Sequence, residues 1–414
     1  MKALVLGCGV IGVTTAYELA KAGLEVSVIE RESAPAQFTS FANAGLVTPA
    51  HAYAWANPSV PLTMLKSFIR NDTSVRFKPS LDPALWRWTL AFLAQCNKKC
   101  AAITTERKAK LCLYSLECLH EIVADSGVEY DRNTGGLMYS YRAQESFDGA
   151  ATKADIMRAQ GIRLEELTPD EMVQKDPALL SARDDMAGAL FAPDDESGDA
   201  CKFSIGLAKS CEELGVTFQF NTTVEGIETD GDRVTGIRTS KGLLTADVYV
   251  LCLGVYTPQI AKHIGMNLPI YPVKGYSMTV RVIDDQLSPG IGGVDEDNLL
   301  AYCPMGEHIR VTATAEISGY SNAHKPKDFA HMNKVIRSLF PGAADYDQPK
   351  YWAGLRPMTP QGTPYFGTAK HTNLWLNTGH GHIGWTMAAG SARITRDLIL
   401  QQKPDIDLDG FLIN

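Results

Sequence analysis

The first thirty residues, MKALVLGCGVIGVTTAYELAKAGLEVSVIE, restrict the fold more than any other stretch of the chain. Leu4 to Leu6 is a short apolar run ending at Gly7, and Gly7-Cys8-Gly9-Val10-Ile11-Gly12 has the spacing G-x-G-x-x-G. Val13 to Ala22 reads as the helix that follows. Glu25 to Ile29 is a second apolar run, and Glu30 stands at its end, eighteen residues past Gly12. Strand, glycine turn, helix, strand and acid in this order make a dinucleotide-binding unit. Gly7 permits the tight turn, Gly9 lets the backbone approach a pyrophosphate, and Gly12 lets the helix pack on the strand. The helix N-terminus offers unpaired N–H groups and a partial positive charge to the phosphates. A carboxylate at Glu30 accepts the hydroxyls of an adenosine ribose and repels a 2′-phosphate.

The rest of the composition narrows the partners. A chain of 414 residues has room for two to three domains, and 45% apolar with 21% charged residues is ordinary for a globular protein. The net charge is −8 and no run of Lys and Arg appears, which argues against nucleic acid. Nine cysteines lie scattered without a C-x-x-C pair. Cys96 and Cys100 are placed four apart on one helix, but no further His or Cys completes a set, so no metal site is expected. Free thiols in a reducing compartment follow. The opening apolar run holds the phosphate-binding glycines, so it is not read as a cleaved signal, and no stretch reaches transmembrane length. The expectation is a cytoplasmic protein, with peripheral contact to the inner face of the membrane left open. Its candidate element is a helix over Pro61 to Asn71, where Leu62, Met64, Leu65, Phe68 and Ile69 share a face beside Lys66 and Arg70.

After Glu30 comes a long loop rich in small residues, and a loop of that length is usually functional. Helices are expected over Asp82 to Cys96, Thr104 to Ser126, Glu145 to Gln160, Lys202 to Leu214 and Asp328 to Leu339. Strands are expected in GGLMYSY, over Tyr271 to Val282 and over Ile309 to Ala315. Arg233 to Thr239 and Leu243 to Thr245 read as a hairpin, and Ala246 to Leu253 as a buried strand ending at Gly254. At the C-terminus, a strand over Asn373 to Asn377 and a glycine-rich loop lead into a helix over Trp385 to Leu400. The implied class is α/β: a Rossmann-like domain interleaved with an antiparallel sheet plus helices. The first takes residues 1–85, 187–272 and 350–414, and the second, a cap, takes 86–186 and 273–349. Ligands commonly lie between such domains.

Nicotinamide and flavin enzymes share the opening motif, so later segments must separate them. VLCLGVYTP ends a buried strand in glycine, where a second backbone segment approaches the same nucleotide. LWLNTGHGHIGWTMAAG feeds a glycine-rich loop into a helix N-terminus, which stabilises developing negative charge such as that of a reduced flavin near N1 and O2. These two segments, with GCGVIG and Glu30, TSFANAGLVTP, YPVKGYS and YWAGLRPMTPQGTPYFG, resemble the D-amino-acid oxidase family of flavoproteins, on the side of its bacterial D-amino-acid dehydrogenases. The resemblance runs through essentially the whole chain.

It implies FAD, held non-covalently, because YWAGLRPMTPQG lacks the cysteine through which covalent members attach flavin. Gly7, Gly9, Val10, Ile11, Gly12, Glu30 and Arg31 would hold the ADP half. Thr39, Ser40, Asn43, Ala44 and Gly45 would run along the pyrophosphate and isoalloxazine, although Ser40 and Asn43 also suit simple loop capping. Val224 would meet adenine through its backbone, Gly254 would approach the nucleotide, and Gly381, His382, Ile383 and Gly384 would face the N1/O2 edge.

At the substrate end, a buried Arg356 in GLRPMTP is costly unless an anion pairs with it. A planar guanidinium suits a carboxylate. The resemblance gives Arg356 the carboxylate of an amino acid. Tyr276 and Tyr302 either help to hold that group or bond to backbone, and His380 either serves the site or bonds a carbonyl. His51 is a weaker candidate. The reaction implied is oxidative deamination of a D-amino acid: hydride passes from Cα to flavin N5, the imine hydrolyses to a 2-oxo acid and ammonia, and electrons go to a quinone or other non-oxygen acceptor. Oxidation of a secondary amine (D-proline, D-hydroxyproline, sarcosine or glycine) would use the same parts. A NAD-dependent dehydrogenase and a non-catalytic flavin subunit are the readings from other classes.

Overall fold

The computed structural model describes residues 1–67, 75–368 and 370–413. Two sheets organise it. The first has six strands in the order Tyr365–Thr368, Leu374–Thr378, Val248–Leu251, Lys2–Leu6, Glu25–Ile29, Thr217–Gln219, all parallel except the first. Its inner strands are apolar on both faces because helices cover them, as parallel sheets require. The second has nine strands, from Lys350–Met358 through Tyr271–Arg281, His308–Ile317, Leu300–Met305, Gly292–Asp295, Leu137–Tyr141 and Gly188–Ala192 to Glu165–Leu167, with Val75–Phe77 added beside His308–Ile317. Antiparallel pairs dominate it.

The sheet memberships move the boundaries drawn from sequence. Lys350–Met358, expected in the nucleotide domain, is the outer strand of the cap sheet, and Gly188–Ala192 and Val75–Phe77 belong to that sheet too. The helix Lys98–Ser126, expected in the cap, instead buries Leu116, Leu119 and Ile122 in one core with Val13, Ala16 and Leu19 of the first helix. Asn97 starts this helix by accepting from Cys100 N at 3.0 Å, so Cys100 belongs to it while Cys96 caps the end of the helix Pro83–Gln95, and the two do not share one helix. The expected helix over Pro61 to Asn71 is present over Val60–Ser67, and the remainder of that expectation lies outside the described residues.

Two contacts lock the nucleotide domain. A Cβ on Gly12 would lie 1.9 Å from the Gly7 carbonyl oxygen, so only glycine lets the helix Val10–Lys21 settle onto the turn. On the other side of that helix, buried Glu18 pairs with Arg396 at 2.6 Å and Arg393 at 3.2 Å, both from the C-terminal helix Gly384–Ile399. That helix in turn lies against Lys98–Ser126 at Gly390, whose N–H donates to Ser115 Oγ at 3.0 Å. A Cβ at Gly390 would sit 2.8 Å from Ser115 Cα. Gly390→Ala therefore forces the two helices apart, and we expect about 1–3 kcal/mol of destabilisation, read as a lower urea midpoint with far-UV dichroism otherwise native.

Candidate active site

A cavity of about 1460 Å³ runs between the two sheets. One end is floored by the opening glycines. The helix Val10–Lys21 begins at Gly9, extended and without a side-chain cap of its own, so its first N–H groups face the cavity. Val10 N donates to Ser40 Oγ at 3.1 Å. Gly7 has φ +101°, and a Cβ there would lie 2.7 Å from the Cys252 carbonyl oxygen. Glu30 accepts from Cys8 N at 2.8 Å and Glu32 N at 3.0 Å, which fixes its carboxylate at the strand end while leaving it partly exposed to the cavity. The Arg31 guanidinium lies over the Tyr256 ring at 4.2 Å and the Phe38 ring at 4.9 Å. Val224, at the start of its strand, and Gly254, at φ +53°, complete this end.

The middle is framed by two loops. In the first, Thr39 Oγ1 donates to the Leu355 carbonyl at 2.9 Å and Asn43 Oδ1 accepts from Gly45 N at 3.0 Å. Gly45, at φ +74°, presses so close to Gly198 O that a Cβ would lie 2.9 Å away. Ser40 and Asn43 thus cap backbone and line the cavity at once; the two sequence readings are compatible. The cap holds this loop through Arg310, which donates to the Asn43 carbonyl at 3.4 Å and to Thr279 Oγ1 at 2.7 Å. In the second loop, Gly379 and Gly381 take left-handed φ values of +82° and +65°, and Gly381, His382, Ile383 and Gly384 lead into the C-terminal helix along the cavity wall. Two helix N-termini and two glycine loops with little room for side chains therefore converge on one elongated cleft. These residues fit an extended dinucleotide bearing a planar ring system. Gly12 supports the floor from behind and does not line it.

Arg356 stands on the strand Lys350–Met358 and enters the cavity. Room for it comes from Gly275 on the neighbouring strand, where a Cβ would lie 2.6 Å from the guanidinium. Its Nη1 donates to the Thr314 carbonyl at 3.3 Å. Thr314 is itself unusual, a non-glycine residue at φ +65°, inserted where the register between Tyr271–Arg281 and His308–Ile317 slips. No carboxylate pairs with Arg356 among the described residues, and burial pulls its pKa down to about 10. His380 also lines the cavity, buried, with no partner for Nε2 among the described residues, and burial pushes its imidazole down to about 3. His382 is also held neutral, chiefly by burial, then by the charges of Lys108, His51 and Arg356. It stacks on Trp55 with ring centres 5.0 Å apart.

The two tyrosines proposed from sequence are not where the substrate role needs them. Gly275 faces Arg356, so strand alternation turns the Tyr276 side chain to the opposite face, although the residue borders the cavity. There its hydroxyl donates to Glu316 Oε2 at 2.9 Å. Against the opposing effect of burial, hydrogen bonds from Lys78 and Lys274 hold the Glu316 carboxyl down to about 2, so Tyr276 belongs to a structural charge network. Tyr302 does not line the cavity at all. It is fully buried behind the sheet, edge-on to Phe340 at 4.9 Å, beneath Gly293. Sequence reasoning missed Arg310, Tyr53, Trp55 and Glu296, and gave His51 little weight. The first carries a weak signal as a charged residue within an apolar strand, and the others sit in loops with none.

The FAD dependent oxidoreductase family model matches residues 2–398. D-amino acid dehydrogenase 2 of Mesorhizobium japonicum is 42% identical over 413 residues, covering 100% of this chain and 99% of that one. D-amino acid dehydrogenase of Paramagnetospirillum magneticum is 42% identical over 415 residues, covering 100% and 98%. Among solved structures, glycine oxidase from Geobacillus kaustophilus aligns with a TM-score of 0.76 at 22% identity, covering 100% of this chain and 98% of that one. L-proline dehydrogenase from P. horikoshii aligns with a TM-score of 0.77 at 17% identity, covering 99% and 95%, and both likenesses bear on the fold alone. With a family model spanning nearly its whole length and full-length relatives at this identity, the chain belongs to the FAD-dependent oxidoreductases of the D-amino-acid oxidase family.

Proposed function

We propose that this protein is an FAD-dependent dehydrogenase of D-amino acids that yields 2-oxo acids and ammonia and passes the electrons to a quinone-like acceptor. The observation that carries the substrate class is the unpaired Arg356 guanidinium inside the cavity. A cation without an acid partner, in a site able to desolvate it, is matched by a substrate carboxylate. The D preference is supported by the names of the full-length relatives.

In this reading Gly7, Gly9, Val10 and Ile11 cradle the pyrophosphate, and Glu30 and Arg31 hold the ribose and adenine side with Val224 and Gly254. Ala44, Gly45, Gly381, His382, Ile383 and Gly384 border the flavin ring. The bound flavin supplies the two-electron oxidation of the Cα–N bond. The protein does the rest. Arg356 fixes the carboxylate and with it the direction of Cα–H. His380 and His382, kept neutral, add no positive charge that would oppose a substrate amine. The cap sheet keeps bulk water from the reacting carbon.

Replacing Arg356 with Leu removes one partner of a buried charge pair, worth about 3 kcal/mol or roughly a hundredfold. We expect kcat/KM with D-amino acids, measured by dye reduction, to fall by at least that factor while visible flavin absorbance per chain stays unchanged. Retained activity in the variant would remove Arg356 from the site, and an enzyme reduced only by cyclic imino acids would move the assignment to secondary amines.

For the acceptor, the support is a surface feature. No helix among the described residues is long and apolar enough to cross a membrane. Near the cavity, however, Leu81 is 99% exposed and Leu90 68%, with Trp86 and Leu62 also out in solvent. Trp86 and Leu90 are one turn apart on the helix Pro83–Gln95, beside the exposed side chains of Arg87, Lys98 and Lys99. An apolar ridge flanked by cations suits the interface of an anionic bilayer, where a quinone resides. Holoenzyme should therefore sediment with anionic vesicles, and the double variant Trp86→Glu with Leu90→Glu should lose most of that binding while keeping its activity with a soluble dye.

A further inference from the structure

We propose that an arm of the cavity formed by His51, Tyr53, Tyr141 and Glu296 is a side-chain subsite that selects substrates whose side chain carries a hydrogen-bond donor, an amine or a hydroxyl. The inference rests on the amino-acid reading above and deepens it.

Ring contacts trace the arm away from the carboxylate anchor. His382, which lies within the field of Arg356, has its ring centre 6.4 Å from that of His51. His51 is edge-on to Tyr53 at 6.4 Å and stacked on Tyr139 at 5.7 Å. His51 Nε2 bonds Glu296 Oε1 at 3.1 Å. Glu296 follows the strand Gly292–Asp295 and is anchored by its N–H to the Ser140 carbonyl at 3.0 Å. Its charge also bears on the hydroxyls of Tyr53 and Tyr141. All four residues line the cavity.

Lys108, Asp195 and Asp297 around the arm have partners, whereas the arm itself has acceptors to spare. Lys108 Nζ donates to the Tyr53 carbonyl at 2.7 Å. Asp195 accepts from Tyr139 Oη at 2.6 Å and Ala50 N at 3.3 Å. Asp297 accepts from the backbone of Arg142 and Ala143. By contrast, the second carboxylate oxygen of Glu296 and the hydroxyls of Tyr53 and Tyr141 have no hydrogen-bond partner among the described residues. The Glu296 side chain is only 18% exposed. Acceptors placed this way gain from a donor on the ligand and are left stranded by an apolar isostere. The faces of Tyr53, Tyr141 and Trp55 give the intervening methylene groups an aromatic wall. His382 stands between Arg356 and His51, so with the carboxylate at Arg356 a group reaching His51 and Glu296 belongs to the side chain.

The test compares matched substrates on the holoenzyme: D-lysine against D-norleucine for the amine, and 4-hydroxy-D-proline against D-proline for the hydroxyl. We expect kcat/KM to favour the donor-bearing member of at least one pair by tenfold or more, and the pair that shows it names the substrate class. Glu296→Leu should bring that ratio close to one. Should this variant fail to fold, Glu296→Gln and Tyr141→Phe, which keep the shape, should each lower the ratio severalfold. A wild-type ratio near one in both pairs, or a ratio unmoved by all three substitutions, overturns the subsite while leaving the amino-acid reading intact. Failure of every compound to reduce the flavin overturns that reading, and the subsite falls with it.

Discussion

The approach of Gly12 to the carbonyl of Gly7 is the contact on which the rest is built. It lets the first helix lie against its own turn, and Glu18 then ties that helix to Arg393 and Arg396 of the C-terminal helix. The consequence is geometric. Two helices from opposite ends of the chain start at the same cavity, one at Val10 and one at Gly384, so the partial positive charges of both N-termini converge on one site. A substitution at Gly12 or Glu18 would disturb both ends of the cofactor site without touching either.

The substrate end obeys a different constraint, the two-residue alternation of a strand. Arg356, Gly275 and the inserted Thr314 form one unit: the missing side chain at 275 leaves the space, and the bulge turns a carbonyl toward the guanidinium. The same alternation puts Tyr276 out of reach and delivers it to Glu316 instead. One residue of register separates a side chain that enters the cavity from a structural hydroxyl.

Local signals explain what sequence could and could not reveal. The nucleotide half was legible because its requirements are local: Gly7, Gly9, Gly12 and Glu30 answer to one turn, one helix start and one strand end. Arg356 stands out in the sequence because an arginine between apolar residues and proline has few structural uses, and the fold places it in the cavity. Tyr302 failed because its position relative to the cavity depends on pairing with Gly292–Asp295, a contact no local pattern encodes. The boundary at residue 350 failed for a related reason, since Lys350–Met358 follows a helix of the cap and pairs with a strand some eighty residues earlier. Tyr53 shares a loop with His51, but Glu296 lies far off in the chain and only the folded cap brings it there.

At the substrate end of the cavity pairing is incomplete. Elsewhere the fold satisfies its buried charges with care: Glu18 has two arginines, Glu316 two lysines, and Lys108 a carbonyl. Among the described residues, Arg356 in the cavity has no acid partner and His380 Nε2 has no hydrogen-bond partner. Such groups cost stability, because each is partly desolvated without full compensation. In the function proposed above the deficit is recovered when a substrate brings a carboxylate, and recovery that occurs only on binding converts a buried charge into affinity and orientation. The cost borne by the free protein and the grip on its substrate are two faces of one interaction.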